Sequence, residues 1–224
     1  MKTYKAIIFD FDRTIADSEK AVLFCFDLTL RHFGYPPLDP AAFKPNIGMP
    51  MEIQLKALTG EQDLIRIQTM LDWHRGIIHK YMSDMTGFFP YVREGLEKLQ
   101  KAGIRTGIVS NKSCELMRIP LERDGILPFV DRLIGAEQVS SPKPDPEGLL
   151  RMIREFALEK SETIYVGDSL VDQATAQNCG VDFAAMLLGG TEKREFEHGG
   201  GFVAVFNCFK DLLEALEPPA VHQI

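Results

Sequence analysis

Two carboxylates, Asp10 and Asp12, stand one residue apart directly after a short apolar run near the start of the chain. The run, residues 6–9, has the composition of a buried strand in a parallel sheet. Side chains two residues apart on an extended backbone point to the same side, so both acids face one spot at the carboxyl end of that strand. Open α/β sheets bind ligands there. The pair indicates a metal site, acid–base chemistry or both, unless the acids are only solvated loop residues.

Polar residues follow two later apolar runs in the same way. Ser110 and Asn111 end one such run, and Asp168 ends another. Asp172 lies four residues beyond Asp168, so these two acids share one side if a helix begins there. A lysine, Lys143, stands between two prolines that restrict the backbone on both sides of it. These residues are candidates for a site built at strand ends.

Composition excludes several classes of partner. The 224 residues carry a formal net charge of -7, and the sequence contains no run of lysines or arginines. Nucleic acids and anionic membrane surfaces are therefore not expected as partners. An acidic protein that acts on an anionic substrate needs a local positive centre, which is either a metal ion or a specific lysine.

Cysteine usage and hydropathy predict a soluble, cytoplasmic protein. The four cysteines are scattered and form no CxxC pair, so neither a zinc site nor a disulfide framework is expected. No signal-like segment opens the chain, and no apolar run approaches the roughly 20 residues of a membrane span.

The apolar spacing predicts two kinds of region. Between residues 18 and 85 it predicts helices at 21–31, 51–58 and 61–82 and no strand. From residue 92 onward, strands at 106–109, 133–135, 163–166, 183–187 and 203–206 alternate with helices at 92–101, 114–123, 146–156, 171–178 and 209–216. We expect Pro120 to kink or restart its helix, and Asp145 to cap the helix that begins at Pro146.

Repeated strand–helix units predict an α/β fold, a doubly wound Rossmann-like parallel sheet covered on both faces. The all-helical segment after the first strand is then an inserted cap that lies over the acids. We expect a core domain of residues 1–17 and 86–217, a cap domain of residues 18–85 and a loose tail at 218–224.

The motifs at these strand ends resemble those of the haloacid dehalogenase superfamily of phosphohydrolases, over about residues 4–216. The insertion resembles the helical cap of the phosphoglycolate phosphatase-like branch. Four motifs carry the resemblance: Asp10-Phe-Asp12-Arg-Thr14, Ser110-Asn111, Lys143-Pro-Asp-Pro and Gly167-Asp168-Ser-Leu-Val-Asp172.

The resemblance implies a catalytic role for three residues. Asp10 would attack phosphorus and become an aspartyl phosphate, which splits hydrolysis into two easier steps. Asp12 would protonate the leaving oxygen and later deprotonate the attacking water. Lys143 would neutralise charge on Asp10 and on the phosphate. Because the dehalogenase branch lacks an acid at the position of Asp12, the sequence favours a phosphatase.

The resemblance also implies a Mg²⁺ cofactor and a phosphate site. The carboxylates of Asp10 and Asp168 and the backbone carbonyl of Asp12 would hold the ion, with Asp172 as a further ligand. Phosphoryl oxygens would be bound by three more residues, namely Thr14, Ser110 and the backbone of Asn111, together with Lys143.

Several residues depart from the family pattern. Arg13 and Tyr91 stand where the family usually has glycine, and for Arg13 we favour a side chain that leaves the site over a cation that reaches the substrate. Met51 stands where relatives of the β-phosphoglucomutase type carry an arginine, which argues against a hexose-phosphate mutase. Lys44 and Arg31 are candidate cap cations.

The predicted function is a Mg-dependent phosphatase for a small phosphorylated metabolite, either a phosphoglycolate-like monoester or pyrophosphate. A phosphosugar mutase remains an alternative with the same aspartyl phosphate. A phospho-accepting switch domain is the non-enzymatic alternative. The protein is expected to be a monomer or a homodimer.

Overall fold

The structure, a computed structural model, describes residues 2–216, and its strands and helices follow one another in regular units. Within that range the strands are β1 (Ala6–Phe9), β2 (Ala16–Asp17), β3 (Gly87–Phe88), β4 (Arg105–Val109), β5 (Arg132–Ile134), β6 (Thr163–Gly167), β7 (Asp182–Met186) and β8 (Ala204–Phe206). The helices are α1 (Glu19–His32), α2 (Pro40–Phe43), α3 (Met51–Thr59), α4 (Leu64–Met85), α5 (Val92–Lys101), α6 (Cys114–Arg123), α7 (Glu147–Phe156), α8 (Leu170–Cys179), α9 (Lys193–Gly199) and α10 (Phe209–Leu216).

Six strands form one parallel sheet in the order β5-β4-β1-β6-β7-β8. β1 lies in the interior, so its side chains are buried on both faces. Ile7 and Phe9 join the apolar cluster that contains residues of α5 and α10, whereas Ala6 and Ile8 join the cluster formed with α7 and α8. This period-two division explains why the strand is apolar throughout. The predicted α/β fold is confirmed.

The chain between β2 and β3 folds back over the sheet as the helical insertion (residues 18–85). Its helices pack around an apolar cluster of their own, which includes Phe26 of α1, Leu55 of α3 and Ile78 of α4. Leu116 of α6 joins the same cluster, which ties the insertion to the sheet side of the molecule. β2 and β3 pair antiparallel where the chain leaves and re-enters the sheet region. The bounds of the two predicted domains stay a prediction.

Some local expectations were wrong. α6 is one helix with Pro120 inside it, so the expected restart is absent, whereas a kink at Pro120 stays a prediction. A proline removes one hydrogen bond of the ladder, while Asp124 N still donates to Pro120 O at 3.1 Å. α7 begins at Glu147 with Pro146 as its N-cap, although the Asp145 carboxylate accepts a bond from Glu147 N at 2.9 Å.

Short elements escaped the sequence patterns. α2, α9, β2 and β3 have two to seven residues each, too few for a period to show. The predicted tail lies outside the described residues. Among the described helices, none combines the length and the hydropathy that a bilayer crossing requires.

Candidate active site

Three neighbouring strands deliver the candidate residues to one edge of the sheet. Asp10 follows β1, Ser110 follows β4 and Asp168 follows β6. Because β1 pairs with both β4 and β6, these three strand ends are adjacent. The ladder continues past β1, since Asp10 N donates to Val166 O at 2.8 Å. Topology therefore brings together residues that lie more than 150 positions apart in the sequence.

Lys143 lies at the centre of the buried polar cluster. Its Nζ is 2.7 Å from Asp10 Oδ1 and 2.6 Å from Asp172 Oδ1, and all three side chains are almost fully buried. Nζ also lies 3.1 Å from the hydroxyl of Tyr165, which lies 3.0 Å from the same oxygen of Asp172. The predicted contact between Lys143 and Asp10 is present.

Burial and charge pull against each other at this cluster. Burial raises the pKa of Asp10 to about 6, although Lys143 opposes the shift and Asp172 adds to it. Burial alone would lower the pKa of Lys143, but Asp10 and Asp172 together raise it above its ordinary value. The lysine is therefore a fixed cation at neutral pH.

Asp172 is held by the first turn of α8. Ser169 caps that helix, and the Asp172 Oδ2 accepts bonds from Ser169 N at 3.1 Å and from Ser169 Oγ at 2.6 Å. Oδ1 accepts the bonds from Lys143 and Tyr165. Both oxygens of Asp172 are thus engaged by protein donors, so Asp172 orients the lysine.

Asp12 has its own cation. Lys112 Nζ lies 2.6 Å from Asp12 Oδ1, and the lysine is almost fully buried against the ring of Phe11. Ser18 Oγ donates to the same oxygen. Among the described residues no donor is bonded to Asp12 Oδ2, which leaves that oxygen for a reacting group. Neither Lys112 nor Ser18 belongs to the four motifs, so the sequence pattern alone does not indicate their contacts with Asp12.

Arg13 lies inside the site, so the expectation that its side chain leaves was wrong. Only 2% of the residue is exposed. One guanidinium nitrogen lies 3.0 Å from Asp168 Oδ2 and 3.2 Å from Ile47 O, and the other donates to Lys44 O at 2.8 Å. Arg13 thereby links an acid at the end of β6 to two backbone carbonyls of the helical insertion.

The two departures from glycine share one backbone feature. Arg13 has φ 59° and Tyr91 has φ 68°, in the left-handed region that glycine enters without cost. This explains why the family usually has glycine at both positions. The Tyr91 ring is half exposed, whereas the Arg13 side chain is buried and paired.

The remaining phosphate-site candidates surround the same cluster. Asn111 Nδ2 donates to Gly48 O at 3.0 Å, and its Oδ1 accepts a bond from Lys143 N at 2.8 Å. The side chain of Asn111 thus joins the helical insertion to the loop that carries Lys143. Phosphate binding by the backbone of Asn111 stays a prediction. Thr14 Oγ1 lies 3.4 Å from Asp168 Oδ1.

The acids satisfy the requirements of a hard divalent cation. Ligand atoms of Asp10, Asp168 and Asp172 lie within 4.8 Å of one another. Asp168 Oδ2 is buried, and although Arg13 lies 3.0 Å away as an ion-pair partner, no aligned hydrogen bond reaches this oxygen. The absence of a side chain at Gly189 leaves space beside it, because a Cβ there would collide with Oδ2. Burial raises the pKa of Asp168 well above its ordinary range, with Arg13 opposing. A buried, oxygen-only cluster with an unsatisfied acceptor fits Mg²⁺.

Fit differs among the four predicted ligands. Asp10 and Asp168 keep more capacity for a metal ion, because Lys143 bonds only to Oδ1 of Asp10 and Oδ2 of Asp168 has only the ion-pair contact with Arg13. Both oxygens of Asp172 already accept hydrogen bonds. The side chain of Asp12 is not part of the close acidic group, which is compatible with a contact through its backbone carbonyl alone.

A cavity of about 620 Å³ opens onto this site. Asp12, Ser110 and Asn111 line its floor, and residues of α1, α3 and α4 line its opposite wall. A cavity of this size accommodates a small organic molecule. The helical insertion therefore encloses the space next to Asp12, Ser110 and Asn111.

The sequence profile described as haloacid dehalogenase-like hydrolase matches residues 7–186, which include all four motifs. The chain belongs to this family. The predicted membership is confirmed, and the predicted class of enzyme, a hydrolase of the phosphatase type, is confirmed with it.

Two curated proteins are similar to most of the chain. A pyrophosphatase from Bacillus velezensis is 29% identical over 190 residues, 83% of this chain and 84% of its own length. A phosphoglycolate phosphatase from Chromobacterium violaceum is 29% identical over 197 residues, 84% of this chain and 86% of its own length.

A solved structure of the same family has the same fold. The crystal structure of a haloacid dehalogenase-like hydrolase from Bacteroides fragilis matches with a TM-score of 0.90 and 33% identity. The match covers 94% of this chain and 100% of that one. The fold and its helical insertion are therefore shared over nearly the whole length.

Proposed function

We propose that the chain is a magnesium-dependent phosphatase that hydrolyses a small phosphorylated metabolite through an aspartyl phosphate on Asp10. The observation that carries the proposal is the pairing of buried Asp10 with Lys143 at 2.7 Å, next to an acidic cluster that fits a divalent cation. A buried carboxylate that keeps a cation partner can approach an anionic phosphate.

In this proposal Mg²⁺ is held by Asp10, Asp168 and the backbone carbonyl of Asp12, and when bound it neutralises charge on the phosphoryl group. Around the cluster, four acids face three cations, because Lys143 pairs with both Asp10 and Asp172, whereas Arg13 pairs with Asp168 and Lys112 with Asp12. The residual negative charge favours binding of a divalent cation before that of an anionic substrate.

The reaction divides between the first two acids. A carboxylate oxygen of Asp10 attacks phosphorus, the bond between phosphorus and the leaving oxygen breaks, and Asp12 Oδ2 gives that oxygen a proton. Asp12 then takes a proton from water, the water oxygen attacks phosphorus, and the bond to Asp10 breaks. Lys112 and Ser18 support this assignment because both engage Oδ1 and leave Oδ2 free to exchange the proton.

The proposal includes the substrate class and the cellular location. Relatives named phosphoglycolate phosphatase and pyrophosphatase support a small phosphorylated metabolite. A cytoplasmic protein, monomeric or homodimeric, fits that role. The choice among phosphorylated compounds depends on what lines the cavity.

The test uses phenyl phosphate and the purified protein. We expect phosphate release that requires Mg²⁺, stops on addition of EDTA and is abolished in Asp10→Asn. Asp17→Asn is the matched control, because Asp17 is an exposed acid in the same segment. Turnover without a divalent metal, or full activity in Asp10→Asn, would refute the proposal.

The intermediate is tested by acid quench with radiolabelled para-nitrophenyl phosphate, whose leaving group departs without a proton, so that the first step does not depend on Asp12. Asp12→Asn should retain label on the chain, because loss of the base slows the second step by about 10²–10⁴-fold. Asp10→Asn should carry none. A label that survives equally long on the unmodified protein would instead indicate a phospho-accepting switch.

A further inference from the structure

The wall of the cavity opposite the catalytic acids is mainly apolar. Helices α1, α3, α4 and α6 contribute the apolar side chains of Phe26, Met51, Leu71, Ile78, Met82 and Leu116, beside the uncharged amides of Gln54 and Gln68. Five of these six apolar side chains are at most 6% exposed, so this wall belongs to the packed interior of the insertion. A leaving group that extends from Asp12 into the cavity meets hydrocarbon.

The cations on the wall already have carboxylate partners. Arg75 lies 2.6 Å from Asp72 and is half exposed, at the mouth of the cavity. Lys112 lies 2.6 Å from Asp12 and belongs to the catalytic cluster. Among the described residues that line the cavity, no other lysine or arginine is present.

The histidines on the wall supply no fixed charge for a second anion. Burial lowers the pKa of His74 to about 4, so its ring is neutral at physiological pH. Its Nδ1 lies 2.6 Å from Thr29 Oγ1, and its ring packs on Phe26. His79 lies 3.7 Å from Glu115 at the exposed mouth.

Acidic residues surround the same opening. Glu52, Glu115 and Glu137 line the cavity. Glu52 pairs with Lys56 on the outside of α3, and Glu137 accepts the backbone N–H that begins α6. Acids at the mouth disfavour a substrate with a carboxylate or a second phosphate, because like charges at short range repel.

The candidate cap cations Lys44 and Arg31 do not line the cavity, and neither does Arg13. Lys44 pairs with Glu19 at 2.8 Å, and Arg31 pairs with Asp27 at 2.6 Å on the surface. Arg13 is held by Asp168 and by backbone carbonyls of the insertion. None of the three is among the described lining residues.

We infer that the substrate of this site is a phosphomonoester of an uncharged, mainly apolar alcohol, with an alkyl or aryl group seated against the insertion, rather than phosphoglycolate or pyrophosphate. This inference rests on the proposed function. Hydrolysis breaks the bond from phosphorus to the ester oxygen, the alcohol leaves with a proton from Asp12, and water supplies the new oxygen of phosphate. The cavity volume of about 620 Å³ leaves room for such a group.

The unmodified protein tests the inference with a series of n-alkyl phosphates from methyl to hexyl, beside phosphoglycolate and pyrophosphate. We expect kcat/KM to rise about fourfold per added methylene, the factor that corresponds to about 0.8 kcal/mol of burial, until the cavity is filled. We expect kcat/KM for hexyl phosphate to exceed kcat/KM for phosphoglycolate and for pyrophosphate by at least about 100-fold. A flat series, or a preference for either anion, would overturn the inference and leave the proposed phosphatase intact. If the protein hydrolyses none of these compounds in the presence of Mg²⁺, the proposed function is refuted, and with it the inference.

A cation placed in the apolar wall provides the second test. Met51→Arg should raise the ratio of kcat/KM for phosphoglycolate to that for hexyl phosphate by at least about tenfold. Ile53→Arg is the matched control, because Ile53 is on the same helix, is exposed and does not line the cavity. An unchanged ratio in a folded Met51→Arg variant would contradict a cavity wall that selects by charge.

Discussion

At the scale of single residues, Arg13 combines an unfavourable backbone with favourable contacts. A left-handed conformation costs a non-glycine residue about 1–2 kcal/mol. Against this, the buried guanidinium lies 3.0 Å from Asp168 and donates to two carbonyls of the helical insertion. The arginine therefore keeps a position that suits glycine because its side chain neutralises an acid that would otherwise be buried without a cation.

Replacing Arg13 should separate these two effects. Removing one partner of a buried ion pair costs about 3–5 kcal/mol, and relief of the backbone returns about 1–2 kcal/mol. We expect Arg13→Gly to lose about 2 kcal/mol in the free energy of unfolding, measured with denaturant in metal-free buffer.

Tyr91→Gly is the matched control for this substitution, because Tyr91 has φ 68° and a half-exposed ring. We expect its free energy of unfolding to stay within about 1 kcal/mol of the unmodified protein. Equal stability of the two variants would show that the ion pair of Arg13 contributes nothing net.

At the scale of elements, α4 carries a buried histidine on its inner face. His74 is 1% exposed, and its pKa is lowered to about 4 by burial. The unfolded chain has the ordinary value of 6.5 and so binds a proton that the folded protein does not. The stability associated with neutral His74 is therefore complete above pH 6.5 and is lost as the pH falls toward 4.

We expect this proton linkage to remove about 3 kcal/mol from the free energy of unfolding between pH 6.5 and pH 4. His74→Gln should flatten that part of the profile, measured by urea unfolding at successive pH values. His79→Gln should leave the slope unchanged, because His79 is exposed. An identical slope in His74→Gln and the unmodified protein would rule out His74 as the source.

At the scale of the whole molecule, the hydrogen bonds that join the insertion to the sheet side among the described residues include three sets besides the bond from Ser18 to Asp12. Arg13 donates to Lys44 O and Ile47 O, Asn111 donates to Gly48 O, and Arg123 donates to Ser83 O and Thr86 O. Two of these junctions start from residues that also contact the buried charges, because Arg13 pairs with Asp168 and Asn111 accepts a bond from Lys143 N. The closed position of the insertion and the arrangement of the buried charges are therefore coupled.

Metal binding should stabilise the whole fold, because the cluster is buried and rich in acids. At a free Mg²⁺ concentration of about 100 Kd, linkage gives about 2.7 kcal/mol, or a rise in Tm of about 5–10 °C. Asp168→Asn should lose most of this rise, and Asp17→Asn should keep it. The comparison is made by calorimetry with and without the ion, and an equal rise in both variants would place the ion elsewhere.

The sequence predicted the sheet, most helix bounds and the edge at which the motifs meet, because these depend on local patterns. It did not predict the partners of Arg13 and Lys112, which bring together segments far apart in the chain. Tyr165 lies in a strand with an apolar pattern, and its hydroxyl is bonded to Asp172. Because a buried hydroxyl requires a polar partner, a tyrosine in such a strand is a sequence signal for a nearby polar site. The apolar wall depends on how the insertion packs over the sheet, and no local pattern encodes that.

The antiparallel pair of β2 and β3 has a consequence for how such chains diversify. Asp17 faces Gly87 in that pair, so the chain leaves the sheet region and returns to it at neighbouring points. Residues 18–86 form the connection between the two strands of a hairpin, β2 and β3. The entropic cost of closing such a loop grows only slowly with its length. The part that selects a substrate can therefore be lengthened, shortened or exchanged while the strand ends keep their geometry. The strand ends and the insertion can therefore change independently of each other.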